Sequence, residues 1–585
     1  LLLPATLFGQ QKTPLDYQTY DIWEHIEASK ISDDGLWSSY ELNPREGDGT
    51  LIFTHTETNV EKAFPRAIET KFSPTNKYAA FKIKPFHDTI QAMKRDDVPE
   101  EELPKDSIGM YVFDSHSVHK TARVKSFKMP EEESPWMAYL YEKAAPEAGE
   151  DSTKTGDEAK NNKNSGDEDD EKLYQLVITN PLTKDRHEFS RVKEYAVSRN
   201  GALFSFITVP EDSLDKAVVH TFETRRQQHD SLPEMEGTIE KITADMQGDY
   251  LAFIHSADTI DKKTYALYFW QEGTTEAKVV ADTLTEAIPE NWTASKHGKI
   301  RFSRDNSKLY FGTSLKPEPE PKDTLLESEK VKLDVWHYKD KRLQTQQLEE
   351  LEEDKKENFL AVFHIDENKV VQLEDQNLPD VELQWHGNTE MALGENDQPY
   401  LRRISHEWPK YEDIYTVNIN TGKRTPVLKE TQNPVSMSPE GKYVLYYNYA
   451  DSCWYSYATA TGKRVNLTGK LDVPFYRVAH DYPNDPYPYG HAGWTEDDRY
   501  VLIYDEFDIW KLDPDGEEAP VNLTNGRSRQ MEYRYEDLDE KRPYIPGKKP
   551  MLAKIFNQKT KAAGFCAVDI RKAQKERLIM ADAEC

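Results

Sequence analysis

The strongest periodic signal in the chain is a polar turn followed by an alternating apolar run. The stretch "MSPEGKYVLYYNYADSCWYSYATATGKRVNLTGK", from Met437, and the stretch "GWTEDDRYVLIYDEFDIWKLDPDGEEAPVNLTNG", from Gly493, are two copies of one unit. Tyr443-Val-Leu aligns with Tyr500-Val-Leu, Trp454 with Trp510, and Asn466-Leu-Thr with Asn522-Leu-Thr, at offsets of 57, 56 and 56 residues. Period-two alternation predicts strands half buried on a sheet. Thr461-Gly462 and Asp515-Gly516 carry the residue types that hairpin turns need. Each copy therefore reads as a turn, a strand, an aromatic-bearing second strand, a Gly turn and a third strand.

Degenerate copies cover much of the chain. The turn-and-strand half recurs as "ISDDGLWSSYEL" from Ile31, "FSPTNKYAAFKI" from Phe72, "VSRNGALFSFIT" from Val197 and "FSRDNSKLYFGT" from Phe302. Each has Ser in second place, which caps backbone N–H groups, and Gly or Asn where a positive φ is wanted. The second half recurs as Asp334-Val335-Trp336, Asp413-Ile414-Tyr415 and Asp508-Ile509-Trp510. Short strands at this spacing predict an all-β repeat fold, and units of about 40–60 residues fit propeller blades. Counting both halves gives a seven- or eight-bladed β-propeller with inserted loops and an incomplete last blade. On this reading Trp336, Tyr415, Trp494 and Trp510 pack between blades, and the Asp two places before an aromatic bonds a neighbouring turn.

The organisation expected along the chain is simple. Residues 1–11 belong to "LLLPATLFGQQK", an apolar run followed abruptly by polar sequence, which reads as a secretory-signal remnant and implies export, with a periplasmic location. Residues 12–585 form the propeller. Pro146–Lys172 has no aromatic residue and no Val, Ile, Leu or Met, so it reads as a disordered insertion. A Pro/Glu-rich excursion covers 315–330, and the stretch from Leu343 predicts a short surface helix.

Charge narrows the partners. With 75 Lys and Arg against 105 Asp and Glu, the formal net charge of −30 repels nucleic acid and anionic membrane. No stretch is apolar enough to span a bilayer. Cys453, Cys566 and Cys585 are too few and too scattered for a disulfide framework or a zinc cluster.

Candidate chemistry is sparse. The Gly-x-Ser-x-Gly elbow of α/β-hydrolases is missing: Ser314 and Ser528 follow a Gly by two places, but Lys316 and Gln530 stand where the second Gly belongs. There is no zinc-binding His pair and no phosphate loop, so no catalytic, cofactor-binding or metal-binding residue is assigned and no cofactor is expected. His386, His406, His480 and His491 lie in turn-like sequence, where a lone His is a surface or capping residue. Asn291, Asn466 and Asn522 begin Asn-x-Thr triplets, and the repeat accounts for the last two. The loop "FYRVAHDYPNDPYPYGHAGW", Phe475 to Trp494, stands out. Aromatics on a Pro-braced loop make a peptide-binding wall, and equally a loop packed over a blade rim.

The stretches "KISDDGLWSSYELNPREGDG", "LDVWHYKDKRLQTQQL" and "HAGWTEDDRYVLIYDEFDIWKLDPDG" resemble the N-terminal β-propeller of prolyl-oligopeptidase-family serine peptidases, in particular large exported versions from Bacteroidetes-type bacteria. The resemblance covers nearly all of the chain after residue 12. It implies a propeller that roofs a C-terminal α/β-hydrolase domain carrying a Ser-Asp-His triad and admits short peptides. No hydrolase sequence precedes Cys585, and the expectation is a fragment of a longer protein, inert by itself as a peptidase. Dipeptidyl-peptidase members hold the substrate amino terminus with a Glu pair, and no counterpart is found here. Two other classes stay open: a stand-alone exported binding propeller resembling the TolB type, and a propeller glycosidase with carboxylates at its channel.

Overall fold

The computed structural model describes residues 20, 23–142, 173–259, 262–318, 326, 329–331, 333–539, 541–572 and 576–580. The signal remnant at 1–11, the insertion at 146–172, most of the 315–330 excursion and Cys585 lie outside the described residues.

The chain divides into two compact units, residues 1–263 with 267–279, and residues 264–266 with 280–585. Nearly all regular structure is antiparallel sheet, and each sheet is a meander whose strands pair in chain order. In the first unit the first sheet runs through Glu24–Ile31, Trp37–Pro44, Thr50–His55 and Glu61–Pro65, and the second through Ala67–Phe72, Tyr78–Ile83, Ser107–Val112 and Ser117–Thr121. The third and fourth are fused through the 13-residue strand Asp185–Val197, whose first half closes one meander and whose second half opens the next. The fifth begins at Thr238–Ala244. In the second unit, five further sheets begin at Trp292–Ala294, Asp380–Glu382, Val435–Met437, His491–Trp494 and Met531–Tyr535.

Packing follows from the strand pattern. Consecutive sheets within a unit share apolar clusters. Trp37, Leu51 and Phe53 of the first sheet meet Phe81 and Tyr111 of the second. Leu445, Tyr447 and Trp454 of the eighth sheet meet Trp494, Val501 and Ile503 of the ninth, where the Tyr443 and Trp494 rings stack at 5.7 Å. Four-stranded meanders stacked face to face with the next in sequence are the repeat of a β-propeller. The all-β propeller class is thus built into the sheets themselves.

The predicted Ser turn recurs with the same bonds each time. Ser32 Oγ accepts the N–H of Trp37 at 2.9 Å, Ser198 Oγ that of Leu203 at 2.9 Å, Ser303 Oγ that of Lys308 at 2.9 Å, and Ser438 Oγ that of Tyr443 at 2.9 Å. Ser73 does the same for Tyr78 at 3.3 Å. Asp245 and Thr495 replace Ser toward Tyr250 and Tyr500. The residue three places on is left-handed throughout: Gly35, Asn76, Gly201, Gly248, Asn306, Gly441 and Asp498 all have positive φ. Gly and short polar side chains adopt that geometry at the least cost.

Three expectations need correction. The described sheets amount to ten four-stranded meanders when the fused one is counted twice, more than the seven or eight read from sequence. The turns around residues 129–136, 383–390 and 536–550 do not carry the Ser signal, so those sheets were open to counting only through a second-half motif such as Asp413-Ile414-Tyr415 or as the partial last blade. The last sheet is complete, with strands Met531–Tyr535, Met551–Asn557, Ala563–Val568 and Glu576–Met580. Asp334-Val335-Trp336 is not a strand, and Trp336 is 66% exposed, because the next strand of that sheet, Phe359–His364, comes only after two short helices, Gln344–Glu349 and Leu351–Asp354.

Candidate functional site

The Asp of the Asp-Ile-aromatic motif is a structural fastener. Asp508 is 2% exposed and accepts the Thr524 hydroxyl at 2.7 Å and the Gly526 N–H at 2.6 Å. Asp413 accepts the Tyr400 hydroxyl at 2.7 Å and the Glu430 N–H at 2.8 Å. Each carboxylate ties the start of the third strand to the end of the fourth in its own sheet. Trp510 packs half-buried against Phe475 and donates its indole N–H to Asp505 Oδ2 at 2.9 Å. Tyr415 lies against the cluster joining the sixth and seventh sheets.

The two serines weighed as nucleophiles stand apart from imidazoles. Ser314 sits in the ladder of Lys308–Leu315 opposite Thr293, and Ser528 is exposed in a short turn, donating to Asn525 Oδ1 at 3.3 Å. Ser436 Oγ lies 3.5 Å from His491 Nε2. Burial pulls the His491 imidazole below its ordinary pKa, and its Nδ1 is buried with no partner. A triad needs a carboxylate at that nitrogen to fix the tautomer and stabilise the imidazolium. His386 meets Arg304 at 3.0 Å, and His480 Nε2 meets Asn484 within its own loop at 2.9 Å. Asn466 and Asn522 turn their side-chain oxygens onto the N–H of Thr468 and of Thr524, ending the fourth strand of their sheets.

The loop Phe475–Trp494 is packed at its base and exposed at its tip. At its base Phe475 is buried, Tyr489 N–H donates to Phe475 O at 3.0 Å, and Arg477 N–H donates to Tyr487 O at 2.9 Å. Asn484 Nδ2 donates to the Tyr487 hydroxyl at 2.8 Å, which closes the tip on itself. Tyr482 at that tip is 71% exposed.

Beside the tip lies a cleft of 410 Å³ in the second unit. One wall is Pro483, Asn484 and Asp485, and the other is His406, Glu407, Trp408, Pro409 and Tyr411, with Gln432 and Tyr449 at the floor. Trp408 is 71% exposed. The second wall is the connection between strands Met391–Asn396 and Glu412–Asn418, which Asp413 fastens through Tyr400. Arg403 braces it from behind, ion-paired to Glu430 at 2.8 Å and lying 4.8 Å over the Tyr411 ring. Gln432 donates from its side chain to Pro409 O. Burial, with Tyr487, Tyr447 and Asp485 nearby, pushes the Tyr449 phenol up to about 12, so it stays a neutral donor at pH 7. The cleft thus offers apolar faces, two phenol hydroxyls, two side-chain amides, an imidazole and two carboxylates. Sequence reading found the first wall from its Tyr and Pro content. It missed the second, which lies some 75 residues earlier and carries a single Trp-Pro.

Carboxylates gather in the seventh sheet. Asp380 stands directly opposite Glu395 across the ladder. Burial, then Glu412 and Asp380, raise Glu395 to about 7. Burial also raises Glu412 and Glu382. Lys410 bridges Asp397 at 3.5 Å and Glu412 at 3.3 Å. A proton-holding acid beside ionised carboxylates is what glycoside chemistry uses, but neither Asp380 nor Glu395 lines the cleft.

No family model matches the chain, and no curated protein matches its sequence. Solved structures share general likeness. A eukaryotic initiation factor is 11% identical over 76% of this chain and 88% of its own, with a TM-score of 0.39. An acylaminoacyl peptidase in complex with Z-Gly-Gly-Phe-chloromethyl ketone is 11% identical over 75% of this chain, with a TM-score of 0.30, and the chain spans 59% of that protein. The β-propeller domain of the trilobed protease from Pyrococcus furiosus is 10% identical over 78% of this chain and 97% of its own, with a TM-score of 0.23. At these scores the propeller assignment rests on the sheets described above.

Proposed function

We propose that the chain is a peptide-binding β-propeller that gates short peptides toward the hydrolase domain of a prolyl-oligopeptidase-like serine peptidase. The observation that carries this reading is the cleft between Trp408-Pro409 and the Pro483–Asp485 tip, with the exposed Tyr482 ring next in sequence to it. A peptide laid along it covers two exposed aromatic faces, and its amide groups find the Gln432 amide and the Tyr449 hydroxyl. Glu407 and Asp485 favour peptides with a free amino terminus or a basic side chain, since a carboxylate attracts an ammonium group in a half-desolvated site. The motif resemblance around Asp508-Ile509-Trp510 supports the parent family. The role of the chain is selection, and bond cleavage belongs to the partner domain.

The test is fluorescence anisotropy with labelled tri- to hexapeptides. Binding to the wild type, weakened at least tenfold by Trp408→Ala and by Tyr482→Ala, supports the reading. Equal affinity in all three proteins overturns it. A second reading, a stand-alone propeller of TolB type that binds a folded protein, is favoured by the exposed segment carrying Leu333, Val335, Trp336 and Tyr338. Loss of a protein complex on Trp336→Ala, with peptide affinity unchanged, separates the two.

A further inference from the structure

A second cavity, of 950 Å³, opens in the first unit at the loop ends of the first three sheets. Its lining inverts the character of the chain. The whole sequence has 105 acidic residues against 75 basic ones, whereas this wall holds seven Lys or Arg against five Asp or Glu.

The acids are mostly engaged. Glu142 pairs with Arg123 at 3.2 Å, Asp48 accepts the His87 backbone N–H at 2.9 Å, and Glu27 holds the Asn43 amide at 3.0 Å and His25 at 2.8 Å. Four cations are not: Arg45, Lys84, Lys94 and Lys125 have no ion pair or side-chain hydrogen bond among the described residues. Arg66 is set rigidly among them. Its backbone is left-handed at φ 64°, Nη1 donates to Lys84 O at 2.5 Å, and the guanidinium lies 3.8 Å over the Phe86 ring. Its Nε is buried and lacks a protein acceptor.

Gathering unpaired cations around a concave wall raises the local positive potential, which a bound anion relieves. A guanidinium held against an aromatic ring presents a fork for oxyanion pairs, and lysines add point charges around it. The volume lies in the range of cavities that hold small organic ligands. We propose that this cavity binds a multiply charged small oxyanion, with Arg66 as the fixed fork and Arg45, Lys84, Lys94 and Lys125 as its charge partners. The chemistry is shared by phosphate-bearing and polycarboxylate ligands. The site lies in a different unit from the peptide cleft, so the two proposals stand or fall separately.

Calorimetric titration with sodium tripolyphosphate and with citrate tests it. The expected result is one saturable site for at least one of these probes, weakened at least tenfold by the double change Lys84→Gln, Lys125→Gln and weakened between 50 and 200 mM salt. Both lysines are exposed, so the double variant keeps its fold, which circular dichroism verifies. Lys559→Gln, on the exposed surface of the second unit, should bind as the wild type does. Tripolyphosphate alone binding marks a phosphate-bearing ligand, citrate alone a polycarboxylate. Absence of saturable binding by both probes, or equal affinity in the double variant, overturns the proposal.

Discussion

Replacing Glu395 by Gln should stabilise the protein at pH 8 and leave it unchanged near pH 4.5. Glu395 faces Asp380 directly across the ladder, with Glu412 and Glu382 close by, and its carboxyl is raised from 4.5 to about 7. The folded state therefore holds a proton that the unfolded state releases between those values. A raised acid contributes stability fully below the unfolded value, and that contribution is lost as pH rises toward 7. A carboxyl displaced this far sets a ceiling of about 3.4 kcal/mol at 1.36 kcal/mol per pH unit. Glu395 is only half-buried, and solvent screening brings the expected effect to about 1–2 kcal/mol. Gln keeps the shape and a hydrogen-bonding end without the charge. The melting temperature of Glu395→Gln at pH 8 should exceed the wild type by about 2–4 °C. Glu374, also raised to about 7 by burial, titrates in the same window, but it is present in both proteins and cancels in the difference. Melting curves at half-unit steps from pH 4.5 to 8 give the comparison. A variant that melts at or below the wild type at pH 8 would refute the like-charge account of this sheet.

His220 works in the opposite direction. Burial first, then His229 at 3.0 Å, lower its imidazole from 6.5 to about 4, so stability drops as pH falls from 6.5 toward 4; His220→Gln should flatten that part of the profile, and an unchanged acid slope would count against it. Asp508→Ala leaves the Thr524 hydroxyl and the buried Gly526 N–H without their acceptor and should cost about 3 kcal/mol in urea unfolding, whereas a loss below about 1 kcal/mol would show that the fastener is dispensable. Ser198→Ala removes the cap on Leu203 and should cost about 1 kcal/mol in the same assay, with no effect on peptide affinity.

Much of the fold was legible because its signals are local. The Ser at Ser32, Ser73, Ser198, Ser303 and Ser438 and the left-handed residue three places on are both dictated by one tight turn, and the same side-chain bond recurs in each. Sheets that turn by other means, such as the one that turns at residues 129–136, carry no such mark, and the unit count fell short there. Trp336 shows the limit of motif matching: Asp-Val-Trp reads like Asp-Ile-Trp, yet no strand forms around it and its ring faces solvent. The helix His87–Arg95 was not foreseen either, because it is short and has no buried residue. The sites were harder. The Trp408 wall and the Tyr482 tip meet only through the stacking of sheets. The basic cavity is assembled from single cations on separate connections, hidden within a net charge of −30.

The central claim is that short peptides bind between Trp408 and the Tyr482–Asp485 tip. The most direct measurement is photo-crosslinking with a peptide that carries a benzophenone side chain, followed by mass-spectrometric mapping of the adducts. The account predicts adducts within residues 406–411 or 482–485, suppressed by excess unlabelled peptide and lost in the Trp408→Ala protein. Competable adducts confined to other surfaces, or adducts that persist unchanged in Trp408→Ala, would contradict it.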